Sequence, residues 1–376
     1  MSVSAPAATA PRPVQPSLAD RWHSATAEAL RAPAWVRLMP ALLLGIDLVL
    51  EVAVPGAMAA GFLLTVLPVV VAFSLGPVAV GAVTAFTVVL QGLLSLRADH
   101  LLEQHHLWTY LATALAGAMG AGLAWQRRRQ ARDLARVRTV ADTLQHAVLR
   151  PVPTRTGGLR AAARYRPAQA DSAVGGDLYE VCETRFGTRV LLGDVRGKGL
   201  EAVRTVADVI GAFRNAAHET PDLAELARQL DRHVRREAAE RHDEELFVTA
   251  VLAQHGPDGW VDLVNRGHLP PLLLRPGTVR PVDCAEQPPL GLGYLAVGAD
   301  RPTTLRLHPG ETLLLHTDGV SEARDTAGDF YPLDTRLARL PGTDPESVVD
   351  FLDRDVRRYA GTLADDLAVL ALSPTG

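Results

Sequence analysis

The chain has 376 residues, 48% of them hydrophobic, with a mean hydropathy of +0.09 and a formal net charge of -4. That length allows two or three domains, and so apolar an average is high for a wholly soluble enzyme, so part of the chain is expected in lipid. A slightly acidic balance, with no basic cluster except beside the expected membrane region, excludes nucleic acid as the main partner, because phosphate backbones are held by concentrated positive charge. Cys182 and Cys284 form neither a CxxC metal motif nor a disulfide framework and read as small buried apolar residues. Lys198 is the only lysine among the 38 basic residues, a bias that reads as compositional rather than chemical.

Residues 1–34, rich in Ala, Pro and Ser, read as a disordered cytoplasmic leader with no cleavable signal pattern. Val52 to Leu96 then run without a charge, far beyond the ~20 residues that cross a bilayer once. Pro55-Gly56 and Gly76-Pro77 divide the apolar region into Val36 to Val54, Ala57 to Leu75 and Val78 to Leu96, and a fourth span runs from Leu107 to Trp125 with aromatic residues at its ends. Residues 35–125 are therefore expected to form an all-α transmembrane region of about four helices in the cell membrane. An even number of spans, with QRRRQARDLARVR after the last, places the N-terminus and everything beyond the spans in the cytoplasm. Asp47 and Glu51 share a helical face in the first span, which is read as short or shifted so that Glu51 lies near the outer interface. His105 and His106 read as a solvated pair in an outer loop. In residues 126–150, Leu134, Val137, Ala141, Leu144 and Val148 recur at spacings of three and four. That seam fits either a short coiled coil making a homodimer or a helix packed on its own domain.

From residue 151 to 376 the pattern changes. LRAAARYRPA, DLYEVCET and TRVLLGD predict strands, LEAVRTVADVIGAFRNAA and DLAELARQLDRHVRREAAE predict two helices, and five further strand-like runs end at DDLAVLAL. Strands interleaved with a helical pair predict an α/β fold of two packed sheets flanked by helices.

Asp177, Asp194, Asp318, Asp365 and Asp366 all fall where strands meet turns. If they converge, each pair of unit charges 4 Å apart costs about 4 kcal/mol at an effective dielectric of 20. Bound divalent cations would offset that, and all-oxygen ligation suits Mg²⁺ or Mn²⁺ rather than zinc. Two such ions can activate a water and neutralise phosphate oxygens during in-line displacement, which makes phosphoester hydrolysis the natural reaction. Taken singly, GGD, TDG and DD are ordinary turn sequences.

The ordered set VGGDLYEV, GDVRGKGLEAV, ELFVTAVLA, NRGHLPPLLL, PPLGLG, LLLHTDGVSEARD and LADDLAVL resembles the SpoIIE-like branch of the PPM family of metal-dependent serine/threonine protein phosphatases, over residues 158 to 373. The resemblance implies an α-β-β-α sandwich with two Mn²⁺ or Mg²⁺ ions at one end. It implies Asp177, Asp194, the Val195 carbonyl, Asp318 and Asp365 as metal ligands, with Asp366 behind them. It also implies a phosphorylated protein substrate, an anti-sigma-factor antagonist acting in partner switching. Arg196 and Lys198 stand where branch members often carry serine and histidine, so the loop lacks a histidine proton donor, and protonation of the leaving oxygen falls to water. Arg196 is then a candidate phosphate contact. Ala368 replaces a frequent threonine, and His268 is expected to be structural. The rival reading is a catalytically weak phosphoprotein-binding protein of membrane signalling.

Overall fold

The computed structural model describes residues 34–53, 63–97, 104–168, 175–256, 258–296 and 301–375. The chain divides into two units, Met1–Thr139 and Val140–Gly376.

In the first unit, α1 (Ala34–Ala53) carries Pro40 in its first turns and is followed by a 3₁₀ turn, Leu63–Val66, that runs into α2 (Leu67–Val71). Next come α3 (Pro77–Arg97) and α4 (Gln104–Val148). By length and composition, Pro77–Leu96 and His106–Leu134 are able to cross a membrane, while Leu38–Leu50 is a shorter apolar helix. The expected second span, Ala57 to Leu75, begins outside the described residues, and its described part is the 3₁₀ turn and the short α2. The leader, residues 1–33, and most of the outer loop also lie outside them.

Two polar groups in this unit find buried partners that the sequence did not show. Asp47 is buried, and its carboxylate accepts a hydrogen bond from the Leu63 backbone N–H at 3.1 Å, so it caps a helical turn that would otherwise leave a donor unpaired. His106 is not a solvated loop residue. It lies in the first turn of α4, buried, with Nδ1 3.2 Å from the Ser95 hydroxyl on α3, because the helix begins two residues before it.

The second unit is built from strands whose apolar faces meet. β1 (Arg155–Thr156), β2 (Leu159–Arg166), β3 (Asp177–Thr184) and β4 (Gly187–Val195) lead into α5 (Leu200–Glu219) and α6 (Leu223–Arg241). Asp222 caps α6 by accepting from the Glu225 N–H. After these come β5 (Val248–His255), β6 (Trp260–Arg266), β7 (Leu272–Arg275), β8 (Thr278–Pro281), β9 (Glu286–Gln287), β10 (Thr303–Arg306) and β11 (Thr312–His316). The chain ends with α7 (Asp318–Ser321), α8 (Leu333–Leu337), α9 (Pro345–Ala360) and β12 (Leu367–Pro374).

One sheet has the order β1-β2-β12-β11-β7-β8 and the other β10-β6-β5-β4-β3, with β9 joined parallel to β6 and every other pair antiparallel. α5 packs on β3 and β4, α6 packs on β5 and β6, and α9 packs on β2 and β12. The layers are therefore helix, sheet, sheet, helix. One apolar cluster fills the space between the sheets and under α5 and α6, including Leu191, Val206, Phe213, Leu252 and Leu370. A second, with Val348, Leu352, Val356 and Leu314, seals α9 to its sheet. Both cysteines are buried and free, and burial raises each thiol to about 11.

The end of α4, from Val140 on, belongs to this second unit. Leu149 is buried, Val148 lies against the core, and the Arg214 guanidinium donates to the Val148 carbonyl at 3.2 Å. Leu134, Val140 and Leu144 are about half exposed, each at 47%.

Candidate metal centre

The site begins with a pairing of strand ends. β3 starts at Asp177 and β4 finishes at Asp194 and Val195, and antiparallel register sets Asp177 directly opposite Asp194. Close approach here depends on glycine. A Cβ on Gly176 would sit 2.2 Å from the Val195 carbonyl oxygen and 2.8 Å from an Asp194 carboxylate oxygen. One on Gly175 would meet the Asp366 carboxyl carbon at 2.5 Å, and one on Gly319 would lie 1.7 Å from the Asp366 carbonyl oxygen. Four segments of the chain thus close to contacts that no larger residue permits.

The other acids arrive on the second sheet. β11 ends at His316, and Asp318 opens α7 two residues further on, while Asp365 and Asp366 immediately precede β12, the strand beside β11. Thr317 ties the sheets together. Its fully buried hydroxyl donates to the Asp177 carboxylate at 2.7 Å and accepts from the Ala368 N–H at 2.9 Å. Gln145, near the end of α4, donates to the backbone carbonyls of Asp177 at 3.2 Å and Gly175 at 3.4 Å. Asp366 is buried and accepts from the Tyr165 hydroxyl and from the Ala168 N–H at 2.9 Å. Lys198, between Gly197 and Gly199, both at positive φ, places its ammonium 3.1 and 3.2 Å from the two Asp365 oxygens.

These acids share one electrostatic field. Burial, then Asp194 and Asp366, hold the Asp177 carboxyl well above the usual carboxylate range, against the Thr317 hydrogen bond and with a further push from Asp318. Burial, then Asp318, Asp365 and Asp366, push Asp194 up to about 7, and Lys198 partly offsets this. Asp318 is raised by burial and by Asp365, again with Lys198 opposing, and Asp366 is raised chiefly by burial. Carboxyl groups forced toward protonation by burial and by one another bind a hard divalent cation well once ionised, so the donor chemistry fits such an ion. Among the described residues, no three His, Cys, Asp or Glu side chains form a ready-made metal cage. Asp365 is engaged by Lys198 instead.

Arg196 pairs with Glu245 at the exposed surface. His268 is buried, with Nδ1 2.9 Å from the Thr249 hydroxyl and Nε2 3.2 Å from the His316 carbonyl, and its loop is held by Asn265 through bonds of 2.8 and 2.9 Å. Burial lowers His268 to about 4, so it is a neutral structural residue at ordinary pH. The Ala368 methyl is fully buried in the sheet. Sequence reasoning missed Thr317, Tyr165, Gln145 and the role of Lys198. The first three act across sequence separations that no local pattern records, whereas Lys198 was visible as the one lysine between two motif glycines.

The architecture is that of the PP2C-type phosphatase domain. The SiaA-PP2C domain of Pseudomonas aeruginosa matches it with a TM-score of 0.51 and 20% identity, over 62% of this chain and 96% of that one. The RsbU and RsbW domains of Rv1364c from Mycobacterium tuberculosis match at 24% identity with a TM-score of 0.48, over 59% of this chain and 62% of that one. The PP2C domain of SpoIIE from Bacillus subtilis, with a fragment of its regulatory domain, matches at 17% identity with a TM-score of 0.48, over 57% of this chain and 62% of that one. The chain thus spans less than two thirds of these last two structures. The family model for Stage II sporulation protein E (SpoIIE) matches residues 184–375, just over half of the chain. The chain belongs to that family, the SpoIIE-like branch of the PPM serine/threonine protein phosphatases. The match begins after Asp177 and includes Asp194, Asp318, Asp365 and Asp366.

Proposed function

We propose that this protein is a membrane-bound, metal-dependent phosphoserine/phosphothreonine protein phosphatase. The observation that carries the reading is the mutual electrostatic perturbation of acids from four separate segments, Asp177, Asp194, Asp318 and the Asp365-Asp366 pair, at the end where the two sheets meet. Asp177, Asp194, Asp318, Asp365 and the Val195 carbonyl would hold two Mn²⁺ or Mg²⁺ ions. Bound ions would supply neutralising charge for the carboxylates and the phosphate oxygens and would activate a water for in-line attack on phosphorus.

The chain's own residues prepare that step. Thr317 fixes the Asp177 carboxylate, and Tyr165 with the Ala168 N–H fixes Asp366, so ligand orientation is set before an ion arrives. Arg196 is assigned to the substrate phosphate. Its present partner Glu245 is 73% exposed, and a surface pair of this kind is worth only about 0–1 kcal/mol, so a phosphate dianion can replace it. Hydrolysis yields inorganic phosphate and a free serine or threonine hydroxyl, whose proton comes from water.

By analogy with family members, the substrate is proposed to be an anti-sigma-factor antagonist in a partner-switching pathway. The two long apolar helices support a membrane anchor; about four spans, with the phosphatase unit in the cytoplasm, is the arrangement proposed from the apolar and basic runs of the sequence. The half-exposed Leu134 and Leu144 support pairing of α4 with a second copy. The test is hydrolysis of p-nitrophenyl phosphate and a phosphoserine peptide by the detergent-solubilised full chain with Mn²⁺. Activity abolished by EDTA and by Asp194→Asn is expected. Binding of the phosphopeptide without hydrolysis would instead favour a phosphoprotein-binding signalling protein.

A further inference from the structure

Lys198 holds a position that the helix dipole by itself disfavours. It lies two residues before α5, at the positive end of the helix dipole, where an acid rather than a base is stabilised. The flanking glycines, at φ of 103° and 90°, turn the loop so that its side chain faces the acids. There the ammonium contacts both oxygens of Asp365 and acts electrostatically on Asp194 and Asp318 as well. It therefore addresses three of the four carboxylates assigned to the ions, from a flexible stem that is 41% exposed. A lysine ammonium is a compact point charge, the organic group most able to stand in for a metal cation among carboxylates.

Resting on the metal-dependent reading above, we propose that Lys198 is a tethered counter-ion that occupies Asp365 in the metal-free chain and must leave it before a divalent cation can bind there. The lysine keeps the acid cluster assembled without metal and makes the ion held by Asp365 the weaker-bound of the two. This sets a threshold of divalent cation concentration below which the site stays incomplete. Because the pair is exposed on both sides, the competition is modest and readily reversible.

Titration calorimetry with Mn²⁺ on the detergent-solubilised full chain tests this without an activity readout. Lys198→Gln is expected to tighten the weaker Mn²⁺ event by roughly threefold to tenfold, while Lys198→Arg, which keeps the charge, stays within about twofold of wild type. Asp365→Asn should remove that event whatever residue stands at 198. Far-ultraviolet circular dichroism checks that the variants are folded, as expected for an exposed side chain. An unchanged or weaker event in Lys198→Gln, or equal tightening in the Gln and Arg variants, would overturn the inference and leave the phosphatase reading intact. Absence of saturable Mn²⁺ binding in wild type and Lys198→Gln alike would overturn both.

Discussion

Thr317 is the side chain that couples the two sheets at the site. Replacing it with valine keeps the volume but removes the donor to Asp177 and strands the buried Ala368 N–H, a loss of about 1–3 kcal/mol in stability. Loss of a hydrogen bond that orients a ligand costs 10- to 100-fold in metal affinity, on the order observed for metal sites in general. Thr317→Val should therefore weaken Mn²⁺ binding by about that factor while the protein stays folded, as read by calorimetry and thermal melting. Unchanged affinity would mean that Asp177 needs no such support. His268 gives a pH prediction. Its folded value of about 4 lies below the ordinary 6.5, so the neutral ring stabilises the fold fully above about pH 6.5, and this contribution is lost as pH falls through about 4. The shift corresponds to at most about 3 kcal/mol. The denaturant midpoint of the C-terminal unit should fall over that window, and His268→Gln should flatten the fall. Parallel curves for wild type and variant would show that other groups dominate.

Among the secondary-structure elements, the strands announced themselves through apolar runs cut by Gly, Pro and Asp, and both DLYEVCET and TRVLLGD fold as β3 and β4. Their pairing puts Asp177 opposite Asp194, a consequence of register that spacing alone could not supply. The sequence reading found two helices in this unit and overlooked α9. Its twelve other positions are mostly charged or polar, yet Val348, Val349, Leu352 and Val356 form a helical apolar stripe, and Asp344 before Pro345 is a recognisable start, accepting from the Ser347 N–H. The short β8, β9 and β10 carry too few residues to show a period. The seam in residues 126–150 resolves into two behaviours: Val148 packs on the unit's own core while Leu144 faces outward. Two glycine substitutions test how β3 and α5 are built. Gly176→Ala forces a Cβ against the Val195 carbonyl and should abolish Mn²⁺-dependent hydrolysis, whereas Gly211→Ala, in α5 with nothing within 4 Å, should stabilise by roughly 0.5–1 kcal/mol with activity kept. Equal effects on hydrolysis would contradict the close-packed β3–β4 end.

The whole molecule joins an apolar helical unit to a two-sheet sandwich of the SpoIIE family. The composition foretold the first, and an ordered series of individually weak acidic turns foretold the second. What the residues could not tell was which groups brace the acids, because Tyr165 and Asp366, or Thr317 and Asp177, meet only when the sheets pack. If the apolar helices span a bilayer, the full chain should sediment with membranes after an alkaline wash, and recovery in the soluble fraction would contradict the anchor. The central claim, that scattered carboxylates jointly bind divalent cations, is tested most directly by anomalous diffraction from crystals grown with Mn²⁺. The account predicts anomalous peaks within about 2–2.6 Å of carboxylate oxygens from Asp177, Asp194, Asp318 and Asp365. Saturating Mn²⁺ with no peak among these four residues would contradict it.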